Sequence, residues 1–378
     1  MEFSVQRADL ARELSLLQGV VERKTTIPVL SNILVEALAD SLRVTATDLE
    51  LGIRTTCAAN VKKPGATTVP AKKLLDYIRQ LQDPEIKFKM AEAPAAGSLQ
   101  VACGRSHVRM AAMARDNFPV LPDCAGKLAM IPPPVLGQLI DRTMFAISAE
   151  ESRYTLNAAL LILKPETMTM VATDGHRLAH VETSPAIAQQ GYSGVSGELR
   201  VLVPKKAMTE LSRLLGDVPE GSSVEFYKDE NHIFFRMGRR LLISRMLSGQ
   251  FPNYEAVLPK ANDRIIVMDQ EELAGAIRRV ALFSDERSRS IRMQFAKDEL
   301  KLVSSSSEAG ESEESLPVSY AGPAFTIGFN WQYMLEFLAA CGAGKVSLEF
   351  KDEQSAGQLR PVSDETLNYR YVVMPMRV

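Results

Sequence analysis

The sequence repeats itself at long range, and that repeat limits the possible folds more than any other feature. Pro70-Ala71-Lys72-Lys73-Leu74-Leu75 returns as Pro204-Lys205-Lys206-Ala207-Met208, with a more distant third copy in Asn330-Trp331-Gln332-Tyr333-Met334. Pro or Asn suits a helix start, and the apolar residues that follow recur at helical spacing: Leu74, Ile78 and Leu81; Leu211 and Leu215; Met334, Phe337 and Leu338. Each predicted helix leads into a short alternating strand, at 86–89, 224–227 and 346–350. An earlier amphipathic segment opens each unit, carried by Leu10, Leu14, Leu17 and Val21, by Leu136, Ile140, Thr143 and Ile147, and by Leu273, Ile277 and Val280. Between the two helices a strand runs into a turn: 42–48 matches 168–174, and 300–306 takes the third place. The copies stand roughly 130 residues apart, too far for a solenoid or propeller, so each reads as a domain of helices and antiparallel strands. The Pro-rich stretches at 117–122 and 250–259 are natural boundaries and give domains 1–126, 127–257 and 258–378.

Composition narrows the class. A chain of 378 residues calls for two or three cores, and 46% apolar with 24% charged residues is a globular profile. No run of eighteen apolar residues is long enough for a membrane span. The first five residues alternate like a strand rather than a secretion signal, so a cytoplasmic location is expected. Cys57, Cys103, Cys124 and Cys341 are scattered, which suits reduced thiols better than disulfides or a zinc site, and no cofactor is expected. A net charge of −2 excludes a protein that is basic all over, but not one whose positive charge is confined to one face. The stretch Ser304 to Glu314 reads as a loop, because Ser and Glu cannot bury a core.

Several motifs carry a family resemblance. Ala172-Thr173-Asp174-Gly175-His176-Arg177-Leu178, Phe251-Pro252-Asn253-Tyr254 and the terminal Tyr371-Val372-Val373-Met374-Pro375-Met376-Arg377 resemble the bacterial beta sliding clamps. So do 27–34, Thr47-Asp48-Leu49-Glu50 and 64–71, and the likeness runs from Phe3 to the last residue. The resemblance implies an α+β fold of three similar domains per chain, with two chains closing head to tail into a six-domain ring. Such a ring encircles duplex DNA, is opened by a clamp loader, and tethers the replicative polymerase and other proteins without catalysing a reaction. A head-to-tail contact that closes after two copies gives a ring rather than a filament.

Sliding requires attraction to phosphate without base reading, which Lys and Arg supply. Basic residues assigned here to helix starts include Arg23 and Lys24, Lys72, Lys73 and Arg79, Lys205 and Lys206, and Arg278 and Arg279. The resemblance implies DNA contact by Lys24, Lys72, Arg153 and Tyr154, and the DNA-binding set is completed by Lys205 and Lys206. It also implies a groove for partner peptides built from Leu156, Thr173, Gly175, His176, Arg177, Leu178, Pro252, Val257, Val372, Met374 and Met376. Leu, Val, Pro and Met offer a concave apolar surface, and Met side chains repack around different partners. Alternation in the last strand would point Val372, Met374 and Met376 to one face; Val372 alone reads rather as core, and the Met374 and Met376 pair as groove. The chain departs from the family pattern at Glu150, Thr155, Glu255 and Ala256. A duplicate clamp that tolerates a clamp-directed inhibitor is the near alternative. A hydrolase using Asp174 and His176 is the remote one, since no phosphate loop, Gly-x-Ser-x-Gly or metal-ligand spacing accompanies them.

Overall fold

The two amphipathic segments of every repeat fold as helices: α1 (Arg7–Leu17) and α2 (Ala71–Gln80), α3 (Pro133–Asp141) and α4 (Lys205–Leu215), α5 (Gln270–Ala281) and α6 (Trp331–Ala340). The computed structural model describes residues 1–22, 26–91, 97–150, 152–362 and 366–377. Helices α2 and α4 follow directly on Pro70 and Pro204, and Asn330 caps α6 by accepting the Gln332 amide at 2.9 Å. Helical spacing overran three helices, Leu81 falling just past the end of α2 in extended backbone. Val21 lies past the end of α1, and α3 stops at Asp141, where the buried Thr143 hydroxyl donates to the Leu139 carbonyl and a short 3-10 turn follows.

The described residues gather into two units. The first comprises Met1–Pro134 with Lys206–Met246, and the second Val135–Lys205 with Leu247–Val378. Each therefore combines a terminal repeat with half of the central one.

In the first unit, a five-stranded antiparallel sheet runs in the order Asn60–Lys63, Glu2–Gln6, Glu85–Met90, Ser98–Cys103, Ser106–Ala111. Phe3 and Phe88 stack across it with ring centroids 4.7 Å apart. An eight-stranded sheet runs Ala129–Ile131, Val224–Lys228, His232–Met237, Arg240–Arg245, Leu51–Ala58, Ser41–Thr47, Asn32–Ala37, Gly65–Pro70. Its middle pairing, Leu241 opposite Arg54, joins the central repeat to the first. Beneath this sheet Arg240 donates to Glu13 at 2.7 and 3.0 Å and to Asp217 at 2.5 Å. Burial alone would raise the Glu13 carboxyl, but the bonds from Arg240 and Thr55 outweigh it and hold the pKa below the usual range.

The second unit repeats the plan. Its eight strands run Leu199–Pro204, Ala158–Leu163, Met168–Thr173, Arg177–Thr183, Leu367–Val373, Gly357–Pro361, Lys345–Phe350, Arg264–Asp269. Here the middle pairing sets Leu178 opposite Val372. Helices α5 and α6 pack together, tied by Gln270 donating to the Leu338 carbonyl at 2.6 Å.

A four-stranded sheet completes this unit and corrects one expectation. Residues 304–314 are not a loop: Glu299–Ser306 and Gly310–Pro317 pair continuously from Glu299↔Pro317 to Ser306↔Gly310. Backbone pairing needs no apolar side chain on the outer strand. The buried Ser304 hydroxyl donates to the Val280 carbonyl at 2.5 Å, while Glu313 and Glu314 pair with Lys301 and Arg279.

Candidate functional site

The Thr-Asp turn recurs with the same hydrogen bonds in two repeats. Thr173 Oγ1 donates to the Arg177 carbonyl at 2.6 Å and accepts the Gly175 amide, while Asp174 Oδ1 accepts the amides of His176 and Arg177 at 2.9 and 3.0 Å. In the first repeat Thr47 and Asp48 treat Leu49, Glu50 and Leu51 alike. The left-handed position is Gly175 (φ 89°) in one turn and Leu49 (φ 80°) in the other. A Cβ at Gly175 would also stand 2.9 Å from Arg153 Nη1, so only glycine fits there without strain.

Arg177 anchors the second turn from inside. It is 7% exposed and donates to Asp174 at 3.1 Å, to the Phe145 carbonyl at 2.6 Å and to Glu336, with its guanidinium 4.2 Å from the Tyr333 ring centroid. Burial opposes the charge, yet Tyr371 and Glu336 together hold the guanidinium pKa above its ordinary value. Arg177 is therefore a structural hub whose main chain and stem wall the site.

Above this hub lies a small groove of about 180 Å³, lined by Leu156, Thr173, Gly175, His176, Arg177, Leu178, Pro252, Tyr254, Val257, Val372 and Met374. Val257 and Met374 are half-exposed, whereas Leu178 and Val372 belong to the buried cluster beneath and form the floor. Ten of the eleven residues assigned from sequence meet here. Met376 does not line the groove: the strand stops at Val373, and Met376 pairs through its amide with the Gly328 carbonyl at 2.8 Å. Pro375 has no N–H to extend the ladder, so the alternation expected for Met374 and Met376 ends there. Tyr254 was missed, although the aromatic of Phe-Pro-x-Tyr was its signal. Tyr254 rests on His180, with ring centroids 5.7 Å apart, and burial with Arg370 nearby pushes that imidazole down to about 4.

Catalysis finds no support in these contacts. The His176 carbonyl accepts the Met374 amide at 2.9 Å, Asp174 is occupied by the turn and Arg177, and no carboxylate meets the His176 ring among the described residues. No cluster of three metal-ligating side chains occurs among them either. A larger cavity of about 640 Å³ in the first unit is bordered by Glu13, Asp217 and Arg240, which already satisfy one another.

The residues assigned to DNA differ in their surroundings. Lys24, like Arg23, lies outside the described residues. Lys72 and Tyr154 are exposed, and Lys205 is exposed at the start of α4. Lys206 is ion-paired to Asp48, and Arg153 to Glu150 at 2.8 Å. Glu150, the departure noted in the sequence, thus neutralises the cation next to it. Arg79, Arg278 and Arg279 stand in the last turns of their helices rather than at helix starts, and Arg279 is bound by Glu314.

Comparison with known proteins adds three consecutive family matches. Residues 1–122, 130–253 and 255–377 match the N-terminal, central and C-terminal domains of the DNA polymerase III beta subunit. The chain is 37% identical over 381 residues to a beta sliding clamp of Pseudomonas putida, with both chains covered completely. Among solved structures it is similar to a Pseudomonas aeruginosa sliding clamp bound to griselimycin (TM-score 0.92, 35% identity, full coverage of both chains). It is likewise similar to Caulobacter crescentus pol III beta (TM-score 0.90, 34% identity, full coverage of both).

Proposed function

Because this chain belongs to the DNA polymerase III beta subunit family, the beta sliding clamps, we propose how its particular residues do that work. The protein is a non-catalytic DNA sliding clamp: two copies form a ring around duplex DNA and give the replicative polymerase its processivity. Its partners are DNA, a clamp loader, the polymerase and a second copy of itself. The observation that carries the reading is the match of all three consecutive domains over the whole chain, because the ring needs all three. We take the domains as 1–126, 127–257 and 258–378, and place the protein in the cytoplasm. No helix among the described residues is long and apolar enough to cross a membrane.

Two open sheet edges support a head-to-tail contact between first and third domains. Ser106–Ala111 is an edge strand with exposed His107 and Arg109, and Gly310–Pro317 is an edge strand with exposed Glu311, held by Arg292 only at 4.0 Å, and Glu313, already paired with Lys301. Unpaired edges are templates for pairing with another chain, and opposite charge fixes which edges meet. Leu282, 77% exposed, and Phe283 follow α5, which packs on the acidic edge strand, and would supply an apolar centre. Sedimentation at micromolar concentration is expected to show a single species of twice the chain mass. A stable monomer over that range would contradict the proposal.

DNA contact falls to Lys24, Lys72, Arg153, Tyr154, Lys205 and Lys206, with Arg153 and Lys206 weakened by their acidic partners. Partner peptides enter the groove around Leu178, Val257, Val372 and Met374. The probe chemistry that fits is a Gln, an aliphatic residue and a terminal Leu-Phe pair.

A further inference from the structure

The groove does not stop at Pro252. Pro252 and Tyr254 are a shared wall, and behind them opens a second cavity of about 500 Å³ bounded by Leu160, Arg200, Leu202, Phe251 and Glu255. Glu255, a position where this chain departs from the family pattern, lines it, and Thr155, another such position, lies beside its Gly249. The Thr155 methyl would stand 2.7 Å from a Cβ at Gly249, which lines the same cavity.

Its charges are unequally satisfied. Arg200 is held by Glu198 at 2.6 Å, and Lys164 approaches Glu198 at 3.7 Å. Glu255 reaches Arg200 only at 4.0 Å, the outer limit of an ion pair, and its side chain is 67% exposed at the mouth. The arginine is thus already committed, and the carboxylate is the group with unused capacity. Glu182 adds a further negative charge within electrostatic reach of Tyr254. An incoming acidic side chain would have to compete with Glu198 for Arg200. An incoming cation would compete for Glu255 only with the distant Arg200 at 4.0 Å, while its aliphatic stem lay against Leu160 and Phe251.

We propose that this side pocket is a specificity subsite, in which a Lys or Arg flanking the apolar anchor of a partner peptide pairs with Glu255. The inference rests on the groove assignment made under the proposed function and goes further in selecting among partners. Exposed pairs are weak, so the effect is one of ranking rather than of binding as such.

The test uses the full-length protein and five labelled peptides sharing a Gln–aliphatic–Leu-Phe core: one unflanked, and one each with Lys or Glu added at either end. In anisotropy titrations at low salt the better Lys-flanked peptide is expected to bind about three- to tenfold more tightly than its Glu counterpart. Glu255→Lys should invert the order, Glu255→Gln should abolish it, and high salt should compress it. Equal affinity of Lys- and Glu-flanked peptides for the unsubstituted protein, while the core binds, overturns the subsite and leaves the groove standing. So does a preference that survives in Glu255→Lys. Failure of the core peptide to bind overturns the groove assignment, and the subsite with it.

Discussion

Replacing Met374 with Ala should lower affinity for a Gln–aliphatic–Leu-Phe peptide about ten- to hundredfold, the loss of about 1–3 kcal/mol of apolar burial. Met374 is 47% exposed in the free protein, so its side chain is available for a ligand to cover. It is also fixed from behind, because its amide donates to the His176 carbonyl. The loss should therefore appear in binding without a loss of fold. Leu178 and Val372 are unsuitable for the same experiment, since they are core residues and their truncation would destabilise the second unit. Met376→Ala is the informative companion. Its backbone, not its side chain, holds the end of the chain to Gly328, and it lines no part of the groove, so it should cost less than threefold, about 0.6 kcal/mol or under. Calorimetry on both variants decides the matter. Unchanged affinity in Met374→Ala would remove the groove assignment, and equal losses in both would return Met376 to the site.

The second large effect concerns Arg177. Substitution by Met keeps much of the volume but removes every donor to Asp174, Glu336 and the Phe145 carbonyl. Breaking a buried pair from one side leaves the other charge uncompensated, which typically costs about 3–5 kcal/mol. The melting temperature of the second unit should fall by about 10 °C. Arg177→Lys should recover only part of this, because an ammonium cannot reproduce the fork that reaches three acceptors. Peptide affinity should fall as well, since the Asp174–Arg177 turn carries the His176 carbonyl that positions Met374. Thermal unfolding followed in both variants tests the assignment. Stability within about 0.5 kcal/mol of the parent would mean that Arg177 is a surface contact after all.

These two residues show where sequence was informative. The helices were legible because apolar residues fell at three-and-four spacing, and the turn at Thr173 because its motif recurs at Thr47. Ten groove residues followed from motifs. Alternation along a strand does not say which distant strand it meets, so the pairing of Arg177–Thr183 with Leu367–Val373 could not be read. Yet that pairing brings Leu178 and Val372 together and makes the groove. Met376 was placed on the groove by continuing a strand through Pro375, where the strand in fact stops, and the loop expected at 304–314 came from treating burial as the only source of order. The committed cations, Arg153 and Lys206, depend on where Glu150 and Asp48 lie in space, which residue type alone does not reveal.

Weakened cations suit a protein that is retained by topology rather than by affinity. Contacts to phosphate that are few and partly neutralised should be screened readily by salt. A closed ring, by contrast, cannot leave DNA that has no end. The measurement that tests this most directly loads the protein onto nicked circular DNA with its own clamp loader and ATP, washes with high salt, and then cuts the circle once. The protein should survive the wash on circles and be released by the cut, sliding off the free ends. Loss during the wash, or retention on the linear product with its ends unblocked, would contradict the encircling ring.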